Sequence, residues 1–180
     1  MIVWHGFAIL LMICTLIWVF ILRSRGQRSE RELSLRNRIA QIFLSAPEGE
    51  VYHQVLALIQ EVFDSTQGFF GYINEAGHLV CPTMSRGVWE QCDIEDKASV
   101  FPREEWGGLW GRSLREKRAL HQNSGLNTPE GHIPIINALT VPIIHHDQVI
   151  GLFALANKKG GYSAEDQRLL EILAEYVSPI

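Results

Sequence analysis

The chain has 180 residues, 47% of them hydrophobic and 20% charged, and a formal net charge of −4 at pH 7. Six arginines and two glutamates precede residue 39, so the first 38 residues carry a net +4 and the rest of the chain carries −8. A domain this acidic lacks the clustered Lys and Arg side chains that neutralise phosphates, which argues against a nucleic-acid partner. The three cysteines do not suggest a disulfide framework and are typical of free thiols in a reducing compartment.

The first apolar segment has the properties of a membrane anchor. Ile2 to Leu22 contains no Asp, Glu, Lys or Arg, and a helix of this length spans about 30 Å, the thickness of a bilayer core. A cleaved signal peptide would need basic residues before the apolar run, whereas here Arg23 follows it. The sequence therefore predicts a transmembrane helix over 1–22, with membrane contact through residues 2–22. The positive-inside rule places the N-terminus outside and the remainder in the cytoplasm.

Residues 23–46 are predicted to form a juxtamembrane helix, because Gln27 to Ser45 lacks Pro and Gly. Leu35, Ile39, Ile42 and Ala46 are spaced as in the beginning of a heptad seam, but the pattern covers less than two heptads. Two interpretations remain open: a helix that packs on the following domain, or a parallel signalling helix. The second predicts a homodimer through the juxtamembrane and terminal helices. Pro47 ends this segment, and the third predicted region is a domain over 47–180.

The first part of that domain alternates between helical and strand patterns. Apolar residues repeat with helical spacing over 50–64, and a hairpin pattern follows, with strands over 69–73 and 78–83. Residues 84–100 have no regular pattern. A crossover helix is predicted to begin at Pro102, followed by a short strand over 118–121. A polar stretch over 122–134 then lacks periodicity, and loops of this length are usually functional or mobile.

The C-terminal part gives the clearest signals. Two apolar runs flank the loop His145-His146-Asp147-Gln148, which indicates a second hairpin. Gly160 and Gly161 form a turn, and Ser163 followed by Asp166 three positions later is a capping-box pattern that begins an amphipathic helix. Antiparallel hairpins with helices segregated to one side predict an α+β fold.

Residues 138–177 resemble the C-terminal half of a GAF domain, the PAS-like sensory fold. The resemblance is carried by VIGLFALANK, Tyr162 and Asp166, which match the Asn-Lys-Phe-Asp-Glu signature of this family except that Tyr162 replaces Phe and Gln167 replaces Glu. It extends over about 45–178. It implies a five- to six-stranded antiparallel sheet with the terminal helices on one face and a small-molecule pocket under the crossover segments on the other. GAF domains with different ligands share the signature, so the ligand and any cofactor are unknown.

The predicted ligand-binding residues are Trp106, Trp110, His132 and Tyr72. The two tryptophans lie along one side of the predicted crossover helix, and His132 lies in the long polar loop, where binding groups concentrate. The strands that include Phe69 and Val149 are apolar on both faces, whereas two amphipathic helices cover only one face. The crossover segment is therefore expected to cover the other face and leave a cavity there.

Two further residue pairs have alternative interpretations. The resemblance implies that Lys158 and Asp166 pair with each other and fix the turn between strand and helix, rather than contact a ligand. Cys81 and Cys92 could form a redox pair, as in GAF-type free methionine sulfoxide reductases. Buried, inert thiols are the competing interpretation. Covalent bilin attachment is not expected, because the characteristic His does not follow either cysteine.

No metal site is predicted, since neighbouring histidines such as His145 and His146 point to opposite faces of a strand and no ligand spacing typical of zinc is present. No catalytic motif occurs, so the chain is not expected to be an enzyme. The sequence predicts a sensory domain in the bacterial inner membrane that binds a small molecule in signal transduction. It resembles the input part of histidine kinases and diguanylate cyclases. The alternatives are a thiol-based redox protein and a structural dimerisation module without ligand.

Overall fold

The computed structural model describes residues 2–85 and 99–178, and for residues 2–11 and Glu48 it describes the backbone alone. The chain forms two compact units that divide after Arg38. The described helices are α1 (Ile2–Ser45), α2 (Val51–Phe63), α3 (Gly108–Glu116) and α4 (Ala164–Val177). The described strands are β1 (Ser65–Ile73), β2 (Leu79–Met84), β3 (Val100–Phe101), β4 (Leu120–Gln122), β5 (Ala138–His145) and β6 (Gln148–Lys158).

The predicted membrane segment and the predicted juxtamembrane helix form one continuous helix, α1. Within this helix an i,i+4 ion pair forms, with 3.5 Å between Arg28 Nε and Glu32 Oε1. Within the part of the chain that the structure describes, no helix combines the length and the apolar character needed to cross a membrane. The transmembrane helix over 1–22 is thus not supported by the structure and stays a prediction from the sequence.

The second unit is built on a six-stranded sheet of order β3-β2-β1-β6-β5-β4, in which every described pair of strands is antiparallel. This confirms the predicted α+β fold. The central strands β1 and β6 pair over most of their length, from Ser65 opposite Lys158 to Tyr72 opposite Gly151. Both are longer than predicted, because the polar residues at their ends continue the hydrogen-bonded ladder beyond the apolar run.

One face of the sheet, called here the helix face, is covered by α2 and α4. Phe70 of β1 and Phe153 of β6 lie opposite each other on this face, with 4.4 Å between their ring centroids. The apolar sides of the two helices are buried against the sheet, including Ile59 of α2 and Leu170 of α4, both at 0% exposure. Burial of such side chains contributes about 1.5–3 kcal/mol each, so these two helices supply much of the core. The terminal helices of the domain are α2 and α4, and their placement on one face of the sheet agrees with the prediction.

The opposite face, called here the crossover face, is covered by α3 and the residues that precede it. The predicted helix from Pro102 is interrupted: a short 3₁₀ turn covers Arg103–Glu105, and α3 begins only at Gly108. Gly108 has φ +58°, a left-handed conformation that ends the first turn and redirects the chain. Gly111 is required by close packing, because a Cβ there would lie 2.4 Å from the Trp106 carbonyl carbon.

Candidate functional site on the crossover face

An aromatic cluster lies on the crossover face. The ring of Trp110 meets Phe69 of β1 at 6.4 Å and Phe101 of β3 at 5.6 Å, both in edge-to-face arrangements. Trp106 is buried beside them, and its indole Nε1–H donates to the Phe101 carbonyl at 3.2 Å. The Arg115 guanidinium donates to the Trp106 carbonyl oxygen. The structure therefore brings the two predicted tryptophans together on the predicted face of the sheet.

The apolar surface around this cluster is incompletely covered by the residues that the structure describes. A buried group that includes Leu79, Leu152 and Trp106 is bordered by side chains that stay half-buried. These half-buried residues are Phe69, Ile73, Met84, Phe101, Trp110 and Val149. A ring of half-buried apolar side chains around a rigid aromatic centre is the kind of surface on which ligand pockets are built.

Cys81 lies within this apolar group and is buried, with 3% of its surface exposed. Burial away from water raises the pKa of the Cys81 thiol to about 12, because the thiolate would lose its hydration. At neutral pH Cys81 is therefore protonated and a poor nucleophile. Its predicted redox partner, Cys92, lies outside the described residues, so the pair as such is not observed.

Tyr72 does not join the tryptophans. It lies on the helix face of β1, where its ring is 5.8 Å from that of Tyr52 in α2, and 38% of its surface is exposed. Strand alternation explains the separation, since Phe69 and Tyr72 are three residues apart and so point to opposite faces. His132 lies in the loop between β4 and β5, where its Nδ1 is 2.7 Å from the Ile133 carbonyl oxygen. The four predicted ligand-binding residues thus occupy three separate places.

The turn between β6 and α4 is held by Lys158 and Asp166. Lys158 Nζ donates to Asp166 Oδ1 at 2.5 Å, and Asp166 Oδ2 accepts from the Ser163 backbone N–H at 2.8 Å. The Ser163 hydroxyl in turn accepts from the Asp166 N–H, which completes the predicted capping box. Burial acts to raise the pKa of Asp166, but the hydrogen bonds from Lys158 and Ser163 outweigh it and lower the pKa overall. The ion pair of Lys158 with Asp166 and the helix cap of Ser163 thus join the end of β6 to the first turn of α4, as expected for residues that fix this turn.

A model of the GAF domain family matches residues 45–180. The chain belongs to the GAF domain family. Over 104 residues it is 28% identical to the methyl sulfide methyltransferase-associated sensor of Methanosarcina acetivorans. That match covers 54% of this chain but spans only 10% of the length of that sensor.

Solved structures agree with this GAF domain in fold. The GAF domain from a phosphoenolpyruvate-protein phosphotransferase of Coxiella burnetii superposes with a TM-score of 0.65 at 13% identity, over 82% of this chain and 90% of that one. The free methionine-R-sulfoxide reductase of Neisseria meningitidis, in complex with its substrate, superposes with a TM-score of 0.57 at 15% identity, over 83% and 89% of the two chains. At such identities the likeness shows the fold alone.

The departure from the family signature at Tyr162 has a structural role in this GAF domain. The Tyr162 hydroxyl is 2.7 Å from Ser65 Oγ at the start of β1, and both side chains are buried. Desolvation by burial raises the pKa of Tyr162, so its hydroxyl is neutral at any physiological pH. The extra oxygen of Tyr162 therefore connects the turn before α4 to the central strand.

The hairpin between β5 and β6 differs in detail from the prediction. His146 has φ +45° and has left the strand, so its ring lies only 4.1 Å from that of His145 instead of on the opposite face. The alternation argument was wrong at this position, because it holds only within a regular strand. Among the described residues, no group of three His, Cys, Asp or Glu side chains converges on a common point that could hold a metal ion.

A groove that was not predicted lies between α2 and the adjoining ends of β1 and β2. It has a volume of about 830 Å³. Gln60 Nε2 donates to Ser85 Oγ at 2.9 Å inside it, and Ser85 Oγ accepts from the Gly68 backbone N–H at 2.6 Å. The groove lies beside α2, and its lining residue Met84 also borders the buried group around Trp106. Nine of its eleven lining residues lie between His53 and Thr66, and Met84 and Ser85 join them only when β2 folds beside α2, so only the folded chain reveals it.

Proposed function

We propose that this chain is a sensory GAF domain that binds a small, largely apolar molecule against the crossover face and passes its occupancy on to α4. The observation that supports this proposal most strongly is the half-buried aromatic cluster around Trp110 on the face opposite the terminal helices. Membership of the GAF family and the similarity to a protein named as a sensor support the same function. No catalytic step is assigned to the chain.

The binding site is tested by comparing two aromatic residues on opposite faces. Native mass spectrometry of residues 27–180 purified from cells should reveal a bound small molecule. Trp110→Ala should lose that molecule, because the indole forms the centre of the half-buried cluster. Tyr72→Ala is the matched control, since its half-exposed ring lies on the helix face. Loss in Tyr72→Ala with retention in Trp110→Ala would place the ligand on the wrong face for this proposal.

A thiol-based redox function is the alternative, because this chain shares its fold with a methionine sulfoxide reductase. Such a function needs an accessible thiolate, whereas Cys81 is buried and its thiol is protonated. We therefore favour binding without turnover. Methionine sulfoxide added to the full chain with a dithiol reductant should remain unreduced, and turnover abolished by Cys81→Ser would establish the enzyme instead. A purely structural dimerisation module would show neither ligand nor turnover.

Attachment to a membrane through residues 2–22 is part of the same proposal. It is supported by the sequence and by the exposure of nine large apolar side chains between Met12 and Leu22. Exposed apolar side chains in such density need a lipid or protein environment. In a bacterial host, a reporter that is active only after export, fused after Ile180, should be inactive, because the arginines that follow the apolar run favour the cytoplasm. Activity of that reporter would refute this orientation.

The domain would then act as the input part of a signalling protein such as a histidine kinase or a cyclic-dinucleotide enzyme. Dimerisation through α1 and α4 would bring two input domains together. Sedimentation analysis of the full chain in detergent should give a dimer, and Ile42→Lys, at the half-buried position of the short heptad seam, should shift it toward the monomer. A wild-type chain that stays monomeric at all concentrations would argue against this arrangement.

A further inference from the structure

The long loop between β4 and β5 is tied at both of its ends to one short turn. Asn123 follows β4, and its side chain accepts from the Tyr162 N–H at 2.8 Å and donates to the Tyr162 carbonyl at 2.9 Å. Asn137 precedes β5, and its side chain makes the same pair of bonds with Lys158, each at 2.9 Å. Each amide side chain thus imitates a backbone partner. Loop 124–136 and turn 158–162 therefore form a closed ring.

A third asparagine strengthens the C-terminal end of this ring. Asn157 has φ +59°, which turns its side chain toward the loop. Its Nδ2 donates to the Pro134 carbonyl at 2.8 Å, and its Oδ1 accepts from the Ile136 N–H at 2.7 Å. The same Nδ2 donates to Gln67 of β1 at 2.7 Å. The end of the loop is therefore held to the two central strands.

The turn is continuous with the beginning of α4. Lys158 at one end of the turn pairs with Asp166 in the first helical turn, and His121 of β4 lies 2.7 Å from Gln167 one residue later. The fit is tight, since a Cβ on Gly161 would lie 2.7 Å from Asn123 Oδ1. A displacement of turn 158–162 must therefore disturb the cap of α4.

The side chains of Asn123 and Asn137, each of which makes two hydrogen bonds to turn 158–162, are called here the asparagine clamps. We propose that these clamps transmit changes in loop 124–136 to the first turn of α4. The two clamps connect the loop to turn 158–162, which leads directly into α4. Packed elements joined by two short bonds at each end shift together rather than deform independently. This inference rests on the proposed function only in that occupancy of the domain is passed on to α4, and its test needs no ligand.

The test introduces strain in the loop far from the clamps. Gly131 is exposed and has φ +81°, so Gly131→Ala forces the loop to rearrange. The readout is the amide shift and hydrogen-exchange rate of Asp166 and Gln167, measured by NMR on the full chain in detergent micelles. In the otherwise unchanged protein, Gly131→Ala should shift both amides and speed their exchange. In the Asn123→Ala, Asn137→Ala background the same substitution should change both amides clearly less, with the remaining response carried by the bonds of Asn157 to Pro134 and Ile136.

Gln122→Ala is the matched control, because the Gln122 amide donates only to the Ser124 and Gly125 carbonyls within the loop. In that background the response of α4 to Gly131→Ala should persist. If the double clamp variant fails to fold, Asn123→Asp and Asn137→Asp each keep the acceptor oxygen and lose the donor, and each should weaken the response. An α4 response that is absent in the intact protein, or undiminished without the clamps, overturns the inference. A bound molecule found by native mass spectrometry would in that case leave the proposed function standing.

Discussion

The hydroxyl group of Tyr162 allows a quantitative test of how the turn before α4 is held. Tyr162 and Ser65 are 2% and 7% exposed, and their oxygens are 2.7 Å apart. Ser65 Oγ also lies 3.4 Å from the Phe63 carbonyl, to which it donates. With the Ser65 hydrogen assigned to the Phe63 carbonyl, the Tyr162 O–H is the donor to Ser65. Tyr162→Phe removes this donor and leaves only an acceptor unpaired, whereas Ser65→Ala leaves a buried O–H with no partner.

The two substitutions should therefore differ in cost. A net hydrogen bond contributes about 1 kcal/mol, and a buried donor without a partner costs about 1–3 kcal/mol. We expect Tyr162→Phe to lower the free energy of unfolding by about 1 kcal/mol and Ser65→Ala by about 2 kcal/mol. The double variant removes both groups and should cost little more than about 1 kcal/mol, which gives a coupling energy of about 2 kcal/mol. About 1 kcal/mol corresponds to roughly 2–4 °C in Tm for a domain of this size.

Urea unfolding of residues 27–180, followed by tryptophan fluorescence, measures these differences. Thr66→Ala is the control: it lies next to Ser65 but is exposed, and its hydroxyl is 3.5 Å from the Asn157 carbonyl, so a change below about 0.5 kcal/mol is expected. Strictly additive effects in the double variant, or a Tyr162→Phe protein as stable as the wild type, would show that the two hydroxyls do not interact.

Four further predictions concern other contacts of the domain. Lys158→Ala should destabilise the domain by up to about 1 kcal/mol without changing ligand preference, since the pair is 21% and 18% exposed, and loss of ligand at unchanged Tm would instead make Lys158 a binding residue. Because the pKa of Asp166 is lowered in the folded state, the ionised carboxylate stabilises the fold at neutral pH, and this stabilisation is lost as the pH falls below about 4 and through the folded-state pKa. An Asp166→Asn protein should therefore lose less stability on acidification than the wild type, as measured by Tm against pH. With the other two cysteines replaced by serine, Cys81 should resist iodoacetamide at pH 8 in the folded protein and react in urea, and rapid labelling of the folded form would contradict its burial. Gly71→Ala should lower the free energy of unfolding by more than about 2 kcal/mol, because its Cβ would lie 2.7 Å from the Val80 carbonyl oxygen, whereas Gly49→Ala, with open space around it, should be nearly neutral; equal Tm values would refute the clash.

The sequence alone determined the fold class and the C-terminal turn of this protein. Strand β6 is apolar over Val149 to Ala156 because both faces of the sheet are covered, and that pattern is readable without a structure. The capping box of Ser163 and Asp166 was also predictable, since it joins residues three positions apart and depends on local geometry. The contact of Lys158 with Asp166 was implied by the resemblance to GAF domains.

Only the tertiary structure decided which candidate residues share a site. Tyr72 and Trp110 both fit a ligand surface as residue types, but strand direction places them on opposite faces of the sheet. The crossover helix is interrupted before Gly108, which has a left-handed φ of +58°, and the sequence does not show which of the three glycines at 107, 108 and 111 adopts it. The asparagine clamps join residues up to 39 positions apart, and an asparagine in a polar loop carries no sign of its distant partner. Local patterns thus fix individual elements, whereas contacts distant in sequence form only when the sheet brings those elements together.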